Sequence, residues 1–192
     1  MARLILASTS RYRRELLARL GVEFECVPPG VPEDHRRGES AADRALRLAT
    51  EKAQAVSLKS AEALVIGADQ VAAAGAELLD KPADGARCRA QLTLLSGRAA
   101  HFYTASVLLR ADPPLHAAHV DTTTVVFRTL GAAEIGRYVE REQPFDCAGG
   151  FKVEASGIAL FECIESQDPT ALIGLPLIWL AGALRDAGYA LP

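Results

Sequence analysis

Four places in this chain combine ionisable side chains with turn chemistry. The first is Ser8-Thr9-Ser10, followed by Arg11, Arg13 and Arg14. An apolar run that enters a helix through hydroxyl residues aims backbone N–H groups and the positive end of the helix dipole at one turn, which suits an anion. Arginines in a first helical turn oppose that dipole, and a nearby anion would relieve them. The same residues also read as an ordinary capped helix with solvated arginines, and no Walker pattern is present. The second place is Asp69-Gln70, directly after a buried strand, where α/β sheets put ligands; a turn-capping aspartate is the plainer alternative. Third, Glu33 and Asp34 lie in a Pro-flanked loop and could ligate a hard cation, which takes one or two carboxylates plus substrate oxygens. Fourth, Lys81-Pro82 and the run Phe151-Lys152-Val153-Glu154 offer lysines that could hold phosphates or be surface charges. No covalent nucleophile stands beside a base, so the set favours metal-assisted phosphate chemistry over acyl transfer.

Composition narrows the classes. The chain has 192 residues, 49% of them hydrophobic, and a net charge of −3. That length suits one domain with a real core, and the apolar content excludes disorder. There is no bulk basic charge to grip a nucleic-acid polymer. No apolar run approaches the ~20 residues of a membrane span, and the apolar stretch from Arg3 is too short for a signal peptide. Cys26, Cys88, Cys147 and Cys163 show no CxxC spacing, so four reduced thiols and a cytoplasmic location are expected. His116 and His119 read as loop residues, not a zinc site, which usually takes about four ligands.

Hydrophobic spacing and turn residues then place the elements. Strands are expected at 3–7, 24–27, 64–68 and 158–163, with a hairpin around Gly75. A long antiparallel pair is expected at 102–109 and 120–129, joined through Pro113-Pro114. Helices are expected at 11–20, stopped by Gly21, at 83–95, 132–141 and 176–187, and from Ser40 to about 58, where Ser40 and Asp43 resemble a capping box. Trp179 and Tyr189 are assigned to packing. One mixed α/β domain results, with no internal repeat.

Read together, the motifs resemble the Maf family of nucleoside triphosphate pyrophosphatases. The matching pieces are Leu4 to Ser10 with Arg13-Arg14-Glu15-Leu16-Leu17, the run Val65 to Gln70, and Lys81-Pro82. Leu95-Ser96-Gly97, Phe102-Tyr103-Thr104, Cys147 to Lys152 and Ile173 to Leu177 follow in order over nearly the whole chain. Asp69-Gln70, Cys147-Ala148-Gly149, Glu154 and Asp168-Pro169 resemble the branch acting on 7-methyl-GTP. Arg11, Tyr12, Asp80 and Gly150 depart from the usual Pro, Trp, Gly and Ser.

The resemblance implies a long, twisted mixed sheet flanked by helices, in two lobes with a central cleft, and often a homodimer. The implied reaction is divalent-cation-assisted hydrolysis of 7-methyl-GTP to the monophosphate and pyrophosphate, with Mg²⁺ or Mn²⁺ as cofactor. Asp69 matches the proton acceptor. On this reading Ser8, Ser10, Arg13, Lys52 and Lys81 hold the triphosphate, and Glu33 with Asp69 binds the metal. Tyr12, Gln70 and Glu154 read the base: the cationic ring would stack on Tyr12, and Glu154 would accept from the guanine edge. The alternatives are another nucleotide, such as dTTP or UTP, or a non-catalytic septum regulator.

Overall fold

The computed structural model describes residues 3–192. Its strands and helices run in the order β1 (Leu4–Ala7), α1 (Arg11–Ala18), β2 (Glu25–Cys26), α2 (Ala41–Ser57), β3 (Leu64–Ala74), β4 (Glu77–Leu79), α3 (Gly85–Leu95), β5 (Ala99–Arg110), β6 (Leu115–Phe127), α4 (Ala132–Glu142), β7 (Phe161–Glu165) and α5 (Leu177–Asp186). The strands form one sheet in the order β2-β1-β3-β5-β6-β7, with β4 paired to β3. β1 is parallel to β2 and β3, whereas β3–β4 and β6–β7 are antiparallel. This is the mixed α/β sheet that the motif order implies. By packing, the chain divides into two compact units: residues up to 70 with 104–121 and 168–192, and residues 71–103 with 122–167.

In the first unit, side chains alternate across the strands, so each strand serves two faces. Leu4 and Leu6 of β1 and Leu64, Ile66 and Ala68 of β3 share a core with Leu16 and Leu17 of α1 and Leu177, Leu180 and Leu184 of α5. Gly67 belongs to the opposite face, and α2 lies on it. A Cβ at Gly67 would stand 2.1 Å from the Ala49 carbonyl oxygen and 2.8 Å from the Ala53 methyl carbon. Only a glycine admits a helix backbone that close. The buried residues of α2 include Ala45, Leu48, Ala49, Lys52, Ala53 and Val56, the i, i+3, i+4 spacing of one helix face. Ser40 caps this helix as its spacing predicts: its hydroxyl accepts from the Asp43 N–H and donates to the Asp43 carboxylate.

The second unit is built around aromatic residues. Phe127, Phe151 and Phe161 pack edge-to-face among themselves, and Phe102 packs on Phe151, with ring centroids between 4.8 and 5.7 Å apart. α3 opens on Asp84, whose carboxylate accepts from the Arg87 N–H at 2.8 Å.

The structure corrects several boundaries. β3 does not stop before Asp69 but continues to Ala74, because Ala72, Ala73 and Ala74 pair with β4 across the turn at Gly75. Asp69 is therefore a mid-strand residue and not a turn cap. His116 and His119 lie within β6, since the turn after β5 is confined to residues 111–114 and pairing resumes at Leu115. His119 stacks on Trp179, with centroids 5.4 Å apart. The strand expected at 158–163 starts only at Phe161, because residues 156–160 form a 3-10 turn. β2 shrinks to two residues, and α3 begins two residues later than expected, after Ala83 (φ 64°) and the Asp84 cap. All four cysteines are free. Among the described residues, no helix is long and apolar enough to cross a membrane.

Candidate active site

The site is assembled from the end of β1, the start of α1, the 33–34 loop, α2 and the middle of β3, all in the first unit. Ser8 is buried where β1 ends; its Oγ accepts from the Ser10 N–H at 3.1 Å. Ser10 caps α1, its Oγ accepting from the Arg13 N–H at 3.4 Å. Each hydroxyl is used as an acceptor and so keeps its own O–H to donate. No acidic residue occupies the first turn of α1. Arg11 sits over the ring of Tyr12, its guanidinium carbon 5.1 Å from the centroid, a cation–π contact.

Arg13 points elsewhere: its Nε donates to the Gly174 carbonyl at 3.0 Å. Burial lowers the guanidinium pKa, while the carboxylates of Asp69 and Glu33 pull it back up. An arginine remains charged under such a balance. Those two carboxylates are drawn together by Lys52. Gly67 and Asp69 share a strand face, as residues two apart do, and Ala49, Lys52 and Ala53 share a helix face. The close docking of α2 at Gly67 thus carries the Lys52 ammonium to Asp69. Its Nζ lies 2.5 Å from Asp69 Oδ1 and 2.5 Å from Glu33 Oε1. Lys52 and Asp69 are both buried, whereas the Glu33 side chain is 57% exposed. α2 also fixes the loop that carries Glu33: Arg44 donates to the Glu33 carbonyl and Arg47 to the Asp34 carbonyl, each at 3.1 Å. Two cations and two carboxylates make a balanced cluster.

Two carboxylates that converge on one ammonium are a donor set that can also hold a hard divalent cation. Among the described residues no group of three or more Asp, Glu, His or Cys could hold a metal. The remaining ligands would therefore be phosphate oxygens and water, the usual situation for Mg²⁺. Glu33 and Asp69 fit that role, and Asp34 contributes its backbone to Arg47.

Gln70 faces the other way. Its side-chain nitrogen donates to Thr104 Oγ1 at 3.0 Å and to the carbonyls of Ala171 and Leu172 at 3.1 and 3.0 Å. Two carbonyl acceptors fix which end of the amide is nitrogen. What Gln70 retains for a ligand is its oxygen. Lys81 and Glu154 belong to the second unit. Lys81 is exposed on the segment after β4, and Glu154 is exposed in the turn at 153–155. A cavity of about 700 Å³ in the first unit, beside Arg3, Phe24 and Tyr189, contains none of these residues.

The model of the Maf-like protein family matches residues 3–187. The chain belongs to the Maf family. Over 192 residues, and the full length of both chains, it is 53% identical to the 7-methyl-GTP pyrophosphatase of Xanthomonas oryzae pv. oryzae (strain MAFF 311018). The Thiobacillus denitrificans protein of that name is 51% identical over 96% of this chain and 92% of its own. The Pseudomonas savastanoi pv. phaseolicola protein of that name is 45% identical over the full length of both. Among solved structures, the Staphylococcus aureus Ham1 protein superposes with a TM-score of 0.55, at 12% identity, over 96% of this chain and 99% of its own. That likeness is one of fold.

Sequence reasoning missed Arg44 and Arg47, which hold the Glu33 loop. It also missed Thr170, and the part that Thr104, quoted only within a motif, takes in holding the 168–176 segment. The spacing Arg44, Arg47, Glu51 on one helix face was the available signal for the first pair. Nothing local marks Thr170.

Proposed function

We propose that this Maf chain is a nucleoside triphosphate pyrophosphatase that hydrolyses 7-methyl-GTP to 7-methyl-GMP and pyrophosphate. Full-length identity to relatives of that name supports the reaction. The observation that carries the chemistry is Asp69: a buried mid-strand carboxylate bound to Lys52, which also bonds Glu33.

In this reading the triphosphate lies at the 8–10 turn, where the Ser8 and Ser10 hydroxyls donate to phosphate oxygens. Arg13, Lys52 and Lys81 balance its charge. A water oxygen forms a bond to the α-phosphorus, the bond from that phosphorus to the α,β-bridging oxygen breaks, and pyrophosphate leaves with the electron pair. Asp69 accepts the water's proton. Mg²⁺ or Mn²⁺, held by Glu33 and Asp69, would supply charge neutralisation at the phosphates. Fixed positive groups aimed at developing charge are the main source of acceleration in such sites. Tyr12 offers an aromatic face to the cationic base, Glu154 accepts from the guanine edge, and Gln70 contributes its oxygen. Action on the cytoplasmic nucleotide pool, by a monomer or a homodimer, completes the proposal.

Pyrophosphate release across a nucleotide panel, with and without Mg²⁺, tests it. The expected result is metal-dependent release, fastest with 7-methyl-GTP. Faster turnover of dTTP or UTP would reassign the substrate, and no release from any nucleotide would overturn the enzymatic reading. Charge-assisted hydrogen bonds contribute ~1.5–3 kcal/mol, so Glu154→Gln should cost about tenfold to a hundredfold in kcat/KM for 7-methyl-GTP and much less for UTP. Equal losses on both would remove Glu154 from base reading.

A further inference from the structure

Arg13 does not hold its place alone. It extends from α1, and its Nε donates to the Gly174 carbonyl. Gly174 has φ 125°, a conformation that side-chain-bearing residues rarely adopt, and a Cβ there would touch Arg13 Cγ at 3.6 Å and Nε at 3.5 Å. The direction of that carbonyl is set by the path of residues 168–176. Two sets of hydrogen bonds fix this path.

The first set comes from the sheet. Gln70 grips the Ala171 and Leu172 carbonyls, and Thr104 donates a second bond to Ala171 at 2.9 Å. The second set is internal and centres on a buried carboxylate. Asp168 is 3% exposed. Its Oδ1 accepts from the Thr170 N–H at 2.9 Å and the Thr170 hydroxyl at 2.6 Å, and its Oδ2 accepts from the Ile178 N–H at 2.6 Å. Thr170 Oγ1 also faces the Leu175 carbonyl at 2.8 Å and accepts from the Leu177 N–H at 2.9 Å. Asp168 and Thr170 thus clasp both sides of Gly174 to the start of α5. Capping α5 requires only one acceptor at a helix N-terminus. Here five short contacts converge on two side chains, and they enclose Gly174, whose carbonyl accepts from Arg13.

We propose that Asp168 and Thr170 are positioning residues for the pyrophosphatase reaction: they set the Gly174 carbonyl that aims the Arg13 guanidinium at the triphosphate. The inference rests on the reading of Arg13 as a phosphate-binding residue. A group displaced by about 1 Å from its working position can cost a hundredfold in rate even when the altered residue is remote.

The test is a double-mutant cycle on pyrophosphate release from 7-methyl-GTP at saturating Mg²⁺. Thr170→Val keeps the shape of the side chain and deletes its hydroxyl, and Thr170→Ser restores that hydroxyl. Both are measured with Arg13 present and in an Arg13→Ala background. With Arg13 present, Thr170→Val should lower kcat/KM by about ten- to a hundredfold, Thr170→Ser should recover most of it, and in the Arg13→Ala background the loss should shrink to about twofold or less. Asp168→Asn, which keeps one carbonyl acceptor, should follow the same pattern and serves as the readout if Thr170→Val does not fold. An equal fold-loss in both backgrounds would overturn the proposal, because a cap that merely stabilises α5 acts regardless of Arg13. Undiminished turnover by Arg13→Ala alone would overturn the assignment of Arg13 itself, and the inference with it.

Discussion

Asp69 and Gln70 are neighbours in β3, yet they belong to two different kinds of structure. On the α2 side, Asp69 meets Lys52, Glu33 and Arg13, a set of full charges in balance. On the α5 side, Gln70 meets Thr104 and two backbone carbonyls through neutral hydrogen bonds. The first arrangement can be rearranged by an incoming polyanion and cation, because each carboxylate can exchange one cationic partner for another. The second commits the Gln70 amide nitrogen to Thr104 and to the 171–172 carbonyls, and it holds that segment in place. One residue of strand alternation therefore separates a cluster of full charges from a set of neutral hydrogen bonds.

That contrast can be broken from either side. The largest effect on stability should come from Lys52→Met. Removing one partner of a buried ion pair costs roughly 3–5 kcal/mol, so urea unfolding should show a large drop in midpoint, together with lost turnover. On the scaffold side, Gln70→Ala leaves the Ala171 and Leu172 carbonyls without their donor. Unpaired buried polar groups cost ~1–3 kcal/mol, so the unfolding midpoint should fall by less than in Lys52→Met. Stability unchanged in Gln70→Ala would show that the bonds to residues 171 and 172 hold nothing. The control is Arg3–Glu25, an ion pair 2.6 Å long with both side chains 55% exposed. Surface pairs contribute little, so Arg3→Ala should leave both the unfolding midpoint and turnover where they are.

How much of this was legible in the sequence follows from range. The Ser10 and Ser40 caps are local, and short spacing announced both. The end of β3 was misjudged because Ala72, Ala73 and Ala74 carry little strand propensity by themselves; pairing with Leu78 and Leu79 of β4 makes them strand. The helix–strand contact at Gly67 was illegible for a related reason. A glycine in a buried strand signals close backbone approach but does not name its partner. The motif ending at Gln70 marked Asp69 and the Pro-flanked loop marked Glu33, while the ties made by Thr170 depend on long-range contacts that no single-sequence pattern encodes.

The central claim is that Asp69, on the charged side of β3, takes the proton from the attacking water. It is tested most directly by kcat of Asp69→Asn with 7-methyl-GTP at saturating Mg²⁺, in protein shown by circular dichroism to be folded. A positioned general base is worth about 10²–10⁴ in rate, so turnover should fall by that factor while the fold persists. Turnover at the wild-type rate in folded Asp69→Asn would contradict the account.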